Sequence, residues 1–247
     1  MSDRRAYLVT GAASGIGRAI AARLSDDGHD VLSVDRAPDP DGPGRPFAAD
    51  LTQREANHAA VTAALAEFSR LDGVVACAGF QVVAPVQEFP EDRWDDLVAV
   101  LLTSPFLLAR YAWPALMESG DGRFVAIASV HGLVASPFKA AYVSAKHGVL
   151  GLVKTLALEG APHGIVSVAV CPGYVRTPLV ERQIDDQARA HGIPVAEVLE
   201  RVILTRQARK ELIEPADVAE TVAFMIGPGG RSYTGSQLVM GNGWTAS

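Results

Sequence analysis

Arg5 to Asp35 reads RAYLVTGAASGIGRAIAARLSDDGHDVLSVD, and the order of its parts decides the fold. RAYLVT and HDVLSV are short apolar runs with β-branched residues, the composition of buried strands. Between them TGAASGIG places Gly11, Gly15 and Gly17 ahead of RAIAARLSDDG, a helix-forming segment. Glycines at a strand-to-helix turn let the backbone bend sharply and approach a pyrophosphate, whose charge the free N–H groups of a helix N-terminus favour. The spacing is GxxxGxG rather than the GxGxxG dinucleotide fingerprint, so the glycines alone are weak evidence. Asp35, closing the second strand, strengthens the reading because an acid there can accept hydrogen bonds from an adenosine ribose. Its charge repels a 2′-phosphate and so favours NAD over NADP, while the adjacent Arg36 works in the opposite direction.

Outward from this stretch, LDGVVACA, GRFVAIAS, IVSVAVCP and SQLVMG repeat the strand pattern with helix-like segments between most of them, and a short run at RPFAAD adds a strand near an edge. The alternation predicts an α/β fold, a doubly wound parallel sheet with helices on both faces. At 247 residues and 49% hydrophobic content the chain suits one domain, residues 1–247, with no repeat or interdomain linker. A net charge of -6 argues against a nucleic-acid or anionic-membrane surface. Cys77 and Cys171 are too few for a disulfide framework and sit in apolar strand-like contexts, as buried free thiols of a reducing compartment do. The N-terminus enters a strand without a long apolar leader, and no uninterrupted apolar stretch is long enough to span a bilayer. A cytoplasmic protein without a membrane or nucleic-acid partner is expected, and no metal-ligand spacing stands out.

A second stretch, SVHGLVASPFKAAYVSAK from Ser129 to Lys146, carries the chemistry. Ser129 closes a strand-like run, and Tyr142 and Lys146 lie four apart in a helix-forming segment, so phenol and ammonium share a face. A phenol with a reference pKa of about 10 is a poor base near neutrality, and a fixed neighbouring cation favours its phenolate. Ser129 can then hold a substrate oxygen near the phenol. Such a spacing also occurs by chance, and the surrounding chain has to decide.

TGAASGIG, the CAG after the fourth strand, Ser129, Tyr142 with Lys146, and PGYVRTP together resemble the short-chain dehydrogenase/reductase family over nearly the whole chain. The resemblance implies a single Rossmann-type domain with a seven-stranded parallel sheet, usually a homotetramer, transferring hydride between a nicotinamide and a carbonyl or alcohol. Ser129 would orient the substrate oxygen, Tyr142 would exchange its proton, and Lys146 would lower the tyrosine pKa and hold the nicotinamide ribose. The cofactor would also contact Gly11, Ser14, Gly15, Ile16 and Gly17 in the turn, Asp35, the pair Asp50 and Leu51, Ala78 and Gly79, and Pro172, Gly173, Val175 and Thr177. Two departures stand out. The family commonly has NNAG where this chain has Ala76, Cys77, Ala78 and Gly79. It also places an asparagine at the position of Leu101, where the main-chain carbonyl binds a water linking the lysine to solvent. Pro105, four residues on, has no N–H, so within a helix the Leu101 carbonyl lacks its usual donor and is left to bind such a water. The other reading is that Pro105 only kinks the helix and Leu101 packs.

Within the family, FQVVAPVQEFPEDRWD, ASVHGLV and PGYVRTPLVERQIDD are similar to the D-3-hydroxybutyrate dehydrogenase branch. That resemblance implies a clamp for a small carboxylate formed by Gln81, His131, Lys139 and Gln183. An ammonium, two amides and an imidazole suit a carboxylate chemically as well. Each also has a bland reading as a solvated or backbone-satisfied polar residue. Tyr174 stands where the branch has tryptophan, and MGNGW replaces a more usual DGGW. Residues 178–213, rich in charged helix formers after the sixth strand, are expected to form a helical substrate lid carrying Gln183. The expected reaction is reversible NAD-dependent oxidation of (R)-3-hydroxybutyrate to acetoacetate. The alternatives are a dehydrogenase for another small hydroxy acid, alcohol or sugar, and a cofactor-binding sensor or scaffold that has lost turnover.

Overall fold

The computed structural model describes residues 4–246. Seven strands form one parallel sheet: β1 (Ala6–Thr10), β2 (Asp30–Asp35), β3 (Arg45–Ala48), β4 (Gly73–Ala76), β5 (Arg123–Ile127), β6 (Val166–Pro172) and β7 (Gln237–Met240), in the order β3-β2-β1-β4-β5-β6-β7. The chain winds outward from β1 to β3, then returns to β4 on the other side of β1. Reversal of direction between β1 and β4 opens a crevice beyond their carboxyl ends, where ligands of such sheets bind. Strands β1, β4, β5 and β6 are buried along their whole length, whereas β3 and β7 each carry exposed positions, as edge strands do. The expected seven-stranded α/β sheet is therefore the observed one, with the RPFA run at its edge.

Helices α1 (Gly15–Asp26), α2 (Arg54–Phe68), α3 (Glu91–Val98), α4 (Ser104–Glu118), α5 (Ala140–Gly160), α6 (Pro178–His191), α7 (Val195–Val198) and α8 (Pro215–Ile226) complete the chain. Alternation along β1 divides the core. Leu8 faces the side covered by α2, α4 and α5, with Ala60, Leu108, Leu116 and Val153, while Tyr7 and Val9 face α1 and α8 with Ile20, Leu24 and Val222. Both layers exclude water almost completely, which is where most of the fold's stabilisation arises.

Between α3 and α4 the helix widens into a π-turn, Ala99–Thr103, in which the Ser104 N–H reaches back five residues to the Ala99 carbonyl. Pro105 follows at the start of α4 and supplies no N–H to the widened turn. The continuous helical run Glu91–Glu118 is, by length and composition, apolar enough to cross a membrane, although Thr103, Ser104 and Arg110 interrupt its apolar sequence, so the expectation that no uninterrupted stretch is long enough stands. Its apolar side chains Leu97, Leu101, Leu108 and Leu116 are buried within the protein instead.

The segment after β6 is helical only as far as Ile203, with α6, then α7 running into a second π-turn, Leu199–Ile203, and residues 204–213 return in turns and bends to a bridge between Ile213 and Val175. Thr177 caps α6, its Oγ1 accepting from the Val180 N–H at 3.4 Å, and Gly192 ends the helix in the left-handed region. A small separate core, with Val180, Ala188, Val198, Ile203 and Leu204, seats this unit on Val130, Tyr174 and Trp244.

Candidate active site

The ends of β1, β4, β5 and β6, the glycine turn and α6 enclose a cleft of about 560 Å³. At its floor Gly11 has φ +70° and a Cβ there would stand 2.9 Å from the Ala78 Cα, while a Cβ on Gly17 would stand 2.2 Å from the Gly11 carbonyl oxygen. Neither position admits a side chain, so the backbone of the turn lies open at the N-terminus of α1 beside Ser14, Gly15 and Ile16. Thr10 Oγ1 accepts from both the Cys77 and Ala78 N–H groups, each at 2.9 Å. That pair of bonds anchors the segment leading to Gly79 without the missing asparagines. Both cysteines are free thiols, Cys171 buried and Cys77 partly so, and burial pushes Cys77 up to about 12.

At the far end of the cleft, Asp35 accepts from the Ala13 N–H at 3.2 Å and the Ala37 N–H at 3.1 Å. Asp50 accepts from the Thr52 N–H and hydroxyl, bonds that lower its pKa. Leu51 is buried, its carbonyl accepting from Asn57 Nδ2 at 3.1 Å. Pro172, Gly173, Val175 and Thr177 line the opposite wall, with the Thr177 methyl 3.0 Å from where a Gly15 Cβ would be.

Ser129, at the end of β5, accepts from the His131 N–H at 3.1 Å. Tyr142 and Lys146 stand one turn apart on α5, with Lys146 Nζ 5.5 Å from the phenol ring centroid and donating to the Ile127 carbonyl at 2.6 Å. From sequence, Lys146 is expected to lower the tyrosine pKa. Burial instead pushes Tyr142 up to about 12, with Ser129 pulling the other way, and Lys146 is itself lowered to about 8 by burial. The physical reason is desolvation, which penalises the charged forms of both groups in a largely apolar surrounding.

Lys139 is 3% exposed, and its ammonium donates to Tyr174 Oη at 3.1 Å and Gln183 Oε1 at 3.3 Å. No carboxylate pairs with it among the described residues, and burial lowers it to about 8. Gln81 lines the same cleft with neither amide atom hydrogen-bonded. His131 is buried and held neutral, lowered by burial to about 3, with Nε2 3.0 Å from Ser136 Oγ and Nδ1 3.4 Å from Ser129 Oγ. Gln183 Nε2 donates to Leu179 O at 3.0 Å in its own helix. Leu101 also lines the cleft, its methyl 2.7 Å from where a Gly79 Cβ would be.

All the expected site residues thus meet in one cleft. Two features are not anticipated by the sequence: Ser136, which holds His131, and the stack of Tyr174 on Trp244, centroids 5.6 Å apart at 11°. The aromatic in GNGW is the signal that could have disclosed the stack.

Residues 5–188 match the short chain dehydrogenase family model. The chain belongs to this family. It is 42% identical to the D-beta-hydroxybutyrate dehydrogenase of Rhizobium meliloti (strain 1021), the match covering 97% of this chain and 98% of that protein. The protein of the same name from Cupriavidus necator is 35% identical, each chain covered completely. Among solved structures, a tryptophan variant of actinorhodin polyketide ketoreductase with NADPH superposes at a TM-score of 0.92, 31% identical over 100% of this chain and 99% of that one. A short-chain dehydrogenase is an oxidoreductase that binds a nicotinamide cofactor and acts on a small substrate. The residues here fit that group: an open glycine turn facing a helix N-terminus, an acid at the end of β2, and a cleft running on to Ser129 and Tyr142.

Proposed function

We propose that this short-chain dehydrogenase interconverts (R)-3-hydroxybutyrate and acetoacetate with NAD. The observation that carries the reading is Lys139, a buried cation without an anionic partner among the described residues, in the same cleft as the unbonded Gln81 amide, Ser129 and Tyr142. A buried charge is costly unless paired, so a site that keeps one open is suited to an anionic ligand. The names of the two hydroxybutyrate dehydrogenases support a small carboxylate as that ligand.

When bound, the nicotinamide accepts or returns a hydride at the substrate carbon. The chain's own residues do the rest. The turn Gly11, Ser14, Gly15, Ile16 and Gly17, with Asp35, Asp50, Leu51, Ala78 and Gly79, holds the dinucleotide, and Pro172, Gly173, Val175 and Thr177 wall its nicotinamide end. Asp35 favours an unphosphorylated ribose and hence NAD. Ser129 steadies the substrate oxygen, Tyr142 takes its proton during oxidation, and Lys146 supplies the positive charge that a tyrosinate needs. The Leu101 carbonyl, denied a donor by Pro105, relays the proton through water. Lys139 with its neighbours fixes the carboxylate so that C3 faces the ring. Residues 178–213 close over the substrate as a lid carrying Gln183. The family resemblance implies a homotetramer, and the exposed Phe106, Met117 and Leu158 on α4 and α5 are apolar surface that such packing would cover.

Steady-state assays with both enantiomers of 3-hydroxybutyrate and each of NAD and NADP test this reading. Turnover of the R enantiomer with NAD is expected, with kcat/KM at least about tenfold lower for the S enantiomer or for NADP. Turnover of neutral sugars or alcohols in place of the acid would move the substrate to another class. Cofactor binding without turnover of any alcohol would make the chain a sensor or scaffold.

A further inference from the structure

Not every polar group around the proposed carboxylate site has a hydrogen left to give. His131 has both ring nitrogens facing protein hydroxyls, Ser136 at 3.0 Å and Ser129 at 3.4 Å. Gln183 spends one of its two N–H groups on Leu179 O and its oxygen on Lys139, and keeps the second N–H to give. Tyr174 keeps its proton too. Its hydroxyl accepts from Lys139 at 3.1 Å, and among the described residues no group accepts its proton. The residue is 7% exposed, its ring stacked on Trp244 and met edge-on by His131 at 6.3 Å, so the hydroxyl is held in place and faces the cleft. A phenol oxygen that accepts from an ammonium is polarised, which makes its own hydrogen a stronger donor. A carboxylate has lone pairs for about four donors.

Resting on the carboxylate reading, we propose that Tyr174 donates directly to the substrate carboxylate together with Lys139 and Gln81, and that His131 serves the reaction by orienting Ser129. The tyrosine that replaces a tryptophan here then adds a polar contact to the clamp rather than only resizing its wall. His131 becomes a positioning residue, fixing the serine through its backbone N–H and its ring.

The test combines oxidation kinetics with titration of butyrate, a carboxylate that cannot be oxidised at C3 by hydride loss from a carbinol, into the protein with NAD bound. Tyr174→Phe should raise KM for (R)-3-hydroxybutyrate and weaken butyrate binding about tenfold, the loss falling on KM rather than kcat. His131→Gln should show the opposite split, a lower kcat with butyrate affinity retained. Circular dichroism checks both variants, and Tyr174→Met, which also lacks the hydroxyl, replaces the phenylalanine variant if that one does not fold. Butyrate bound by Tyr174→Phe as tightly as by the unaltered protein, or weakened chiefly by His131→Gln, overturns the proposal while leaving the carboxylate reading intact. Unaltered protein that neither binds butyrate nor oxidises the acid overturns both.

Discussion

Lys139 is the residue on which function and stability pull apart. Its ammonium is buried against Tyr174 and Gln183 with no carboxylate among the described residues, and burial lowers it from 10.5 to about 8. Below about pH 8 it is charged in the folded chain and the full cost of burying that charge is carried. Between about 8 and 10.5 the folded chain sheds the proton before the unfolded chain does, so the cost diminishes and stability rises with pH across that window. Lys139→Met should therefore raise the stability of the protein without substrate at pH 7 by about 1–2 kcal/mol, read from thermal or urea unfolding, while removing affinity for the acid. A loss of stability would mean that the bonds to Tyr174 and Gln183 outweigh the charge. The same titration governs binding. Affinity for butyrate should be level from about pH 6, where the ligand is ionised, to about pH 8 and weaken above it as the ammonium neutralises.

At the scale of elements, the π-turn Ala99–Thr103 decides whether the missing asparagine matters. Leu101 buries its side chain against Ala141 and Ala145 of α5, next to the turn that carries Tyr142. Pro105 is the feature that withholds an N–H from the widened turn. If the Leu101 carbonyl relays protons, Pro105→Ala should return a donor, tighten the turn and lower kcat by about tenfold or more with little change in cofactor affinity. An unchanged kcat in stopped-flow and steady-state assays would leave Leu101 as packing alone. The contrast with the glycine turn explains what the sequence could disclose. The bend at Gly11 and Gly17 is written locally, because only glycine fits against the Ala78 Cα and the Gly11 carbonyl. The phenol and ammonium on one face of α5 follow from helical spacing alone. By contrast, the π-turn is a one-residue widening that spacing does not encode, and the partners of Lys139 come from segments distant in the chain. The free thiols were legible from composition, whereas the anchoring of the Ala78 segment by the Thr10 hydroxyl needed the strand register.

For the molecule as a whole, the sheet order and the two apolar layers follow from alternating strand and helix signals, and the family match agrees with them. The site lies where the winding reverses, at the carboxyl ends of β1 and β4, so the fold places the cofactor turn and the Ser129–Tyr142 pair along one cleft. What that arrangement does not itself specify is the substrate, since many chemistries share one fold. The proposed carboxylate substrate rests on the wall built by α6 and Tyr174, which stacks on Trp244, and on the cation within it. The measurement that tests this most directly compares kcat/KM for (R)-3-hydroxybutyrate and for its methyl ester with NAD. An open cation awaiting a carboxylate predicts that the acid is preferred by about a hundredfold or more. Equal turnover of acid and ester would contradict it.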